Sequence, residues 1–591
     1  LYMPPVVPIY KDDGSYNYYN PYENAYLAYY GRAANPVSDL QNSIGQTAAI
    51  SLLGNFYARY TILDGLTAKI NAVTDVNQIT QTFFAPNYTA LGIKDEINGA
   101  AAIGNRRTDI TQTEYLLSYA KSFGKHSIDA LTGYTYQSTT TKFVVAKAIL
   151  LGEKFEDLAE GKELPSVSRN KEGYLHSLLG RINYSFLERY NLTATYRADK
   201  SSRFSEGYKW GYFPSIGLSW NVSDEYFLKP AKAILPLLKL RLTYGEAGNQ
   251  EIDFVEYEER FNISRYGGQP SYALETTTKT DLKWETTTEY NAGIDAGLFD
   301  NRITLTADIY TKNTRDLLLK TPPPLGSPTE KMQTVNIGNV ENRGFELALT
   351  AYPIDRKNLQ LTVSANIARN VNTITSMGKD DQLTIGEDQE QILSVGQSVG
   401  SFYGYVFEGV NPDNGDAKFA NLGGDSGIDP EHDRTIIGSI QPDFTYGFSS
   451  SFTYRNLDVY LGFQGSQGNE VYNLLRRFLE GKPNDAYNMS AALLNAWTPE
   501  NPSATIPRID YVHPTPSDSR FVEDASFLRL KNLTAGYKFR FSNFKLRIFV
   551  TAQNLLTLTK YKGYDPEIAS GIDLGTYPMS RTFSFGASIG F

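Results

Sequence analysis

The sequence predicts an all-β protein, a large antiparallel transmembrane β-barrel, and three observations predict it. Segments of eight to eleven residues alternate strictly between apolar and polar side chains. A period of two marks strands with one apolar face, and these exceed the usual strand length of about 5–6 residues. The links between them sort by parity, short alternating with long. That is the plan of outer-membrane barrels, and a soluble β-sandwich or propeller has no reason to follow it. Third, the closing stretch RTFSFGASIGF places Phe583, Phe585, Ala587, Ile589 and Phe591 on one face, with nothing after them to cover it. Lipid tails supply that cover, and a sheet standing in lipid must close on itself so that every backbone group is paired.

Taken in order, residues 1–47 read as an outer loop segment and 48–591 as barrel. The first strand falls near 48–60. Later strands include YNLTATYRAD (190–199), LKLRLTYG (238–245), RITLTADIY (302–310), LQLTVSANI (359–367), LDVYLGFQG (457–465), KLRIFVTAQ (545–553) and 581–591. Short links lie near 61–64, 122–125, 187–189, 299–301, 354–358, 455–456 and 540–544, with a mid-length one at 223–237. Between them run 74–111, 138–173, 199–211, 247–285, 313–342, 371–443, 467–526 and 554–580. The count is about seventeen strands. Single-chain bacterial barrels have even numbers, so an odd number of strands is expected upstream of Leu1.

Composition agrees. The apolar share is 41% and no run of eighteen apolar residues exists, which excludes a helical membrane protein but not a barrel. The 42 Tyr and 31 Phe suit strands and interfacial aromatic girdles. A net charge of −9 without a basic run argues against a nucleic-acid partner. The absence of cysteine removes disulfides, thiol catalysis and Cys–zinc sites. The opening LYMPPVVPIYKDDGSY has neither a basic nor an apolar signal region. His126, His176, His432 and His513 are scattered, HExxH and P-loop patterns are missing, and the two G-x-S-x-G matches, GQSVG (396–400) in a long link and GASIG (586–590) in the closing strand, do not form a strand-to-helix nucleophile elbow. The chain therefore does not read as an enzyme.

Longer stretches carry a family resemblance. LKWETTTEYNAGIDAGLFDNRITLTADIYTKNTRDLLL (282–319), NIGNVENRGFELALTAYP (336–353) and VGQSVGSFYGYVFEGV (395–410) resemble the SusC/RagA-like TonB-dependent transporters. So do IGSIQPDFTYGFSSSFTYRNLDVYLGFQGSQGNEVYN (437–473), FVEDASFLRLKNLTAGYKF (521–539), AQNLLTLTKYKGYDPE (552–567) and TYPMSRTFSFGASIGF (576–591). The resemblance implies a 22-stranded barrel, of which about 17 strands are present, with the plug domain absent from this chain. It implies active import of a glycan or oligopeptide through the outer membrane of a Bacteroidota-type bacterium. Partners would be a SusD-like surface lipoprotein acting as lid, the TonB complex through the missing plug portion, and the lipid bilayer, with transporter–lid pairs able to dimerise. The other reading is a passive structural or adhesive barrel whose loops bind a surface partner.

Few residues can be singled out for binding. Segment 411–438 resembles a calcium-like loop of the family in degraded form. Asp425, Asp429 and Asp433 offer oxygens, but Gly423 and Ser426 occupy places where a ligand and a glycine belong. We read it as an Asp/Gly-rich outer loop, with no cofactor expected. Tyr257, Phe261, Tyr266, Tyr403, Tyr405, Tyr472 and Tyr487 sit on long links where rings could stack on cargo. The terminal Phe591 resembles the signal read by the barrel-assembly machinery.

Overall fold

The computed structural model describes residues 8–16, 35–86, 89, 99–149, 158, 162–254, 260–266, 269–276, 279–321, 332–378, 381–386, 389–424, 427–481, 489–509 and 515–591. Its main sheet has seventeen strands. They are β1 (Ile44–Leu63), β2 (Leu66–Ala85), β3 (Ala100–Phe123), β4 (His126–Ile149), β5 (Lys162–Phe186) and β6 (Tyr190–Ser201). Then come β7 (Trp210–Asn221), β8 (Leu237–Asn249), β9 (Glu285–Leu298), β10 (Ile303–Arg315), β11 (Asn339–Arg356) and β12 (Leu359–Ser376). The last are β13 (Phe444–Tyr454), β14 (Leu457–Gln467), β15 (Phe527–Arg540), β16 (Lys545–Thr559) and β17 (Thr582–Gly590). Each pairs antiparallel with the next in chain order. Among the described residues β1 pairs only with β2, and β17 only with β16.

β1 begins at Ile44, ahead of the expected boundary at 48, because Ile44–Thr47 already pair with Phe84–Gln81. A short helix, α1 (Pro36–Asn42), precedes it. The Asn35 side chain caps its first turn, where proline's missing N–H costs nothing.

All the short turns lie at one end. Asp64-Gly65 joins β1 to β2, and Gly65 has φ +81°, the left-handed geometry such hairpin turns require. A Cβ there would also stand 2.5 Å from the Ala120 carbonyl oxygen. The opposite end gathers the long loops. Clusters of buried apolar residues in the described part, such as Phe204, Phe213, Leu282 and Trp284, all belong to that end.

The wall itself has two unlike faces. Across neighbouring strands Leu192, Leu218, Leu242, Ala292, Ile309 and Phe345 are register partners on the outward face. Leu218, Leu242, Ile309 and Phe345 are exposed. Along β7 the outward positions run Trp220, Leu218, Ile216, Pro214 and Tyr212. At about 3.3 Å per residue and a tilt of about 40° they cover roughly 20 Å of height. Aromatic belts bound this band. At the short-turn end His126, Phe186, Tyr190 and Trp220 stack in series, 4.9–6.3 Å between centres. Higher up, Trp210 lies beside Tyr212 and Tyr244 beside Tyr290. This is the surface a bilayer solvates.

The inward face is polar and carries ion pairs. Arg241 on β8 bridges Asp295 on β9 and Asp308 on β10 at 2.9 and 3.0 Å. Gly293, between them in register, makes room; a Cβ would lie 2.4 Å from Asp308. Strands β3 to β5 are 24, 24 and 25 residues long against 12 for β7. The difference raises one side of the wall roughly 30 Å higher.

Candidate functional site

The described parts of three long loops, 377–443, 468–526 and 560–581, fold together above β12–β16. Their interior is apolar: Phe402, Tyr472, Leu474 and Phe521 are buried, with Ile437, Ile440, Val522 and Ile572 against them. Short pairings register the loops on one another. Glu470–Tyr472 pairs with Val522–Asp524, and single bridges join Tyr405 to Asp518 and Tyr472 to Ile572. The apolar interior is small, so much of the remaining cohesion is ionic.

Arg529 of β15 is the anchor. Its side chain is 2% exposed. It donates to Asp565 at 2.7 Å, to Glu567 at 2.9 Å and to Thr557 Oγ1 at 3.0 Å. Gln464 of β14, its register partner, donates to the other Glu567 oxygen. The loop segment 565–569 is thereby strapped across the inward face of the wall. Burial alone would raise the Asp565 carboxyl; the Glu567 amide, Arg529 and the Met579 amide outweigh it and hold it below the usual carboxylate range. A second ionic knot surrounds helix α2 (Leu474–Glu480), where Arg476 pairs with Glu480 and Glu523. In a third, Tyr561 donates to the buried Asp573 at 2.6 Å. Burial, then that carboxylate, raises the Tyr561 phenol well above its ordinary value.

Beside the strap lies a cleft of about 420 Å³. Its walls carry Asn366, Thr445, Gln464, Ser466, Asn469 and Glu567, with Tyr446, Phe527, Pro442 and Ile568 as apolar patches. Amides, hydroxyls and one carboxylate over a partly apolar floor can hydrogen-bond a hydroxyl-rich or amide-rich chain.

The residues singled out from sequence fall in different places. Tyr472 is fully buried. Its ring packs between Phe402 and Phe521, and its hydroxyl accepts from Ser517 at 2.9 Å. It is a core residue of the loops, with no free face for a ligand. Tyr403 and Tyr405 share the strand Ser401–Tyr405 and are half-buried. The Arg434 guanidinium lies 4.4 Å from the Tyr403 ring centre, and Tyr405 packs on Phe419. Phe261 and Tyr266 lie on the strand Arg260–Tyr266, of which the backbone is described. Tyr257, Tyr487 and Asp425 lie outside the described residues. Phe591 is fully exposed after β17.

Asp429 and Asp433 are occupied by their own loop. Asp433 accepts from the amides of Leu422, Gly423 and Asp429 at 2.6–3.0 Å. Asp429 accepts from Glu431 and His432. The His432 contact on Asp429, and the Gly423 amide on Asp433, lower both carboxyls. Among the described residues no three His, Cys, Asp or Glu side chains converge as a metal ion would need. Sequence reading passed over Arg529, Asn366 and Gln464. Their one local signal was a place on the polar face of an alternating strand.

A family model described as TonB dependent receptor-like, beta-barrel matches residues 7–555. The chain belongs to the TonB-dependent receptor family. It is SusC/RagA-like within it. TonB-dependent receptor P3 of Formosa agariphila is 34% identical over 94% of this chain and 60% of its own length. TonB-dependent receptor SusC of Bacteroides thetaiotaomicron is 33% identical over 82% of this chain and 51% of its own. Among solved structures, the RagAB peptide transporter superposes with a TM-score of 0.87 at 25% identity, covering 98% of this chain and 65% of that one. The chain thus spans about half to two thirds of the length of these relatives.

Proposed function

We propose that this barrel forms the outer-membrane channel of an energy-coupled importer for a bulky nutrient, a glycan or an oligopeptide, in a Bacteroidota-type bacterium. The observation that carries the reading is the inward strap held by Arg529 beside a polar cleft. A wall that only filled the membrane has no use for loops drawn inward by buried charge. On this reading the long-loop end faces outward, where a SusD-like lipoprotein closes over it. The remaining length seen in the relatives supplies a plug, the contact with TonB and the strands that complete a 22-stranded barrel. Two such transporter–lid pairs can associate. The barrel itself performs no covalent chemistry, and Phe591 serves barrel assembly.

The test is deletion of the whole gene, with growth measured on candidate oligosaccharides or peptides as sole carbon source. Loss of growth on one cargo, restored by the intact gene but not by one lacking the TonB-contacting segment, is expected. Unchanged growth on every cargo, with loss of attachment to a surface partner, would favour the adhesive reading. For Phe591, deleting that one residue should cut the amount of folded barrel in the membrane several-fold. Equal amounts would remove it from that role.

A further inference from the structure

The tall side of the wall carries a basic row that neither the strap nor the cleft accounts for. Arg106 on β3, Phe143 on β4 and Arg169 on β5 are direct register partners. They share the inward face, because the parity runs without a break to Gly173 and Leu175 on β5. There the loop residue Phe254 covers Gly173 so closely that a Cβ would meet its ring at 2.0 Å, and Leu175 packs on the Trp284 cluster. Arg106 and Arg169 are exposed. Neither has an ion-pair partner among the described residues, whereas Lys171, two positions on, is paired with Asp253. The Arg106 guanidinium lies 5.6 Å from the centre of the Phe143 ring, which orients the charge without neutralising it.

We infer that this row is a binding rail for an acidic oligosaccharide, carrying carboxylate or sulfate groups, on its way into the lumen. The inference rests on the import reading and names its cargo class. Two strand spacings separate the arginines, about 10 Å at roughly 4.8 Å per step. That is close to the span of two linked pyranose rings, so a glycan charged on alternate sugars meets both guanidinium groups. Same-face side chains of an extended peptide recur at about 7 Å and match less well. Like charges about one Debye length apart in the open repel little at 0.1 M salt, so the pair persists without a ligand. A planar guanidinium takes carboxylate or sulfate oxygens bidentately.

The test uses the full-length transporter with its lid in detergent. Three probes are a galacturonic acid hexamer, maltohexaose and a hexaglutamate peptide, each titrated at 50 and 500 mM NaCl. The hexamer should bind at least 10-fold tighter than maltohexaose at low salt, and high salt should erase the difference. R106Q/R169Q should lose at least 10-fold for the hexamer alone. K142Q, one residue from Phe143 on the opposite face, should lose less than 2-fold. Equal binding of acid and neutral sugars, no binding of the hexamer, or equal losses in K142Q would each overturn the rail. Preferential binding of hexaglutamate would overturn the glycan assignment. None of these outcomes touches the import reading, which stands or falls on growth of the deletion strain.

Discussion

Replacing Arg529 by alanine should release the strap while leaving the barrel intact. The guanidinium is 2% exposed and meets Asp565 and Glu567 at 2.7 and 2.9 Å. Asp565, itself nearly buried, would keep the amides of Glu567 and Met579 at 3.0 and 3.2 Å but lose its countercharge. Removing one partner of a buried pair costs about 3–5 kcal/mol. The strap can swing into water, so the lower end applies. About 3 kcal/mol corresponds to roughly 100-fold more frequent opening. Hydrogen exchange on the full chain in detergent reads this directly: amides of 560–581 should exchange roughly 100-fold faster, with the β3–β5 ladders unchanged. R529K should fall between, since one ammonium cannot span both carboxylates in the same geometry. Exchange of 565–579 within about 3-fold of wild type would refute the anchoring argument.

Other outcomes follow from the same geometry. Tyr561→Phe removes the donor to buried Asp573 and should destabilise the loop layer by about 1–3 kcal/mol, read as faster limited proteolysis at 560–581. The acid response has a definite sign. The folded Asp565 carboxyl titrates below its usual value, so its stabilisation is full above the unfolded value of about 3.9 and is lost as pH falls through the lower folded value. Strap opening should therefore rise only below about pH 4, and D565N should flatten that rise. On the wall, Leu218→Arg faces lipid and should cost about 2–4 kcal/mol in vesicle unfolding titrations, while Ser215→Arg on the inward face, opposite Thr195 and Gly245, costs little.

The wall was legible because its information is local. Each strand declares its two faces through its own alternation, and turns such as Asp64-Gly65 declare themselves through backbone chemistry. Even 199–211, grouped with the long links, keeps its parity although the structure leaves only 202–209 between β6 and β7. The loop layer was not legible. Arg529 meets Asp565 across 36 residues and Arg476 meets Glu523 across 47, and no periodicity announces such pairs. Tyr472 shows the cost: by position it is a loop aromatic, and only the folding of 468–526 back over Phe402 makes it interior.

The concentration of apolar cores at one end gives the molecule two kinds of cohesion. The staves owe theirs to solvent tails and to a ladder any alternating sequence can join, so their side chains can drift widely. The crown above has a small apolar interior of its own and is tied to the staves at ionic points such as Arg529. The crown can therefore be rebuilt around those fastenings with the wall beneath it left untouched.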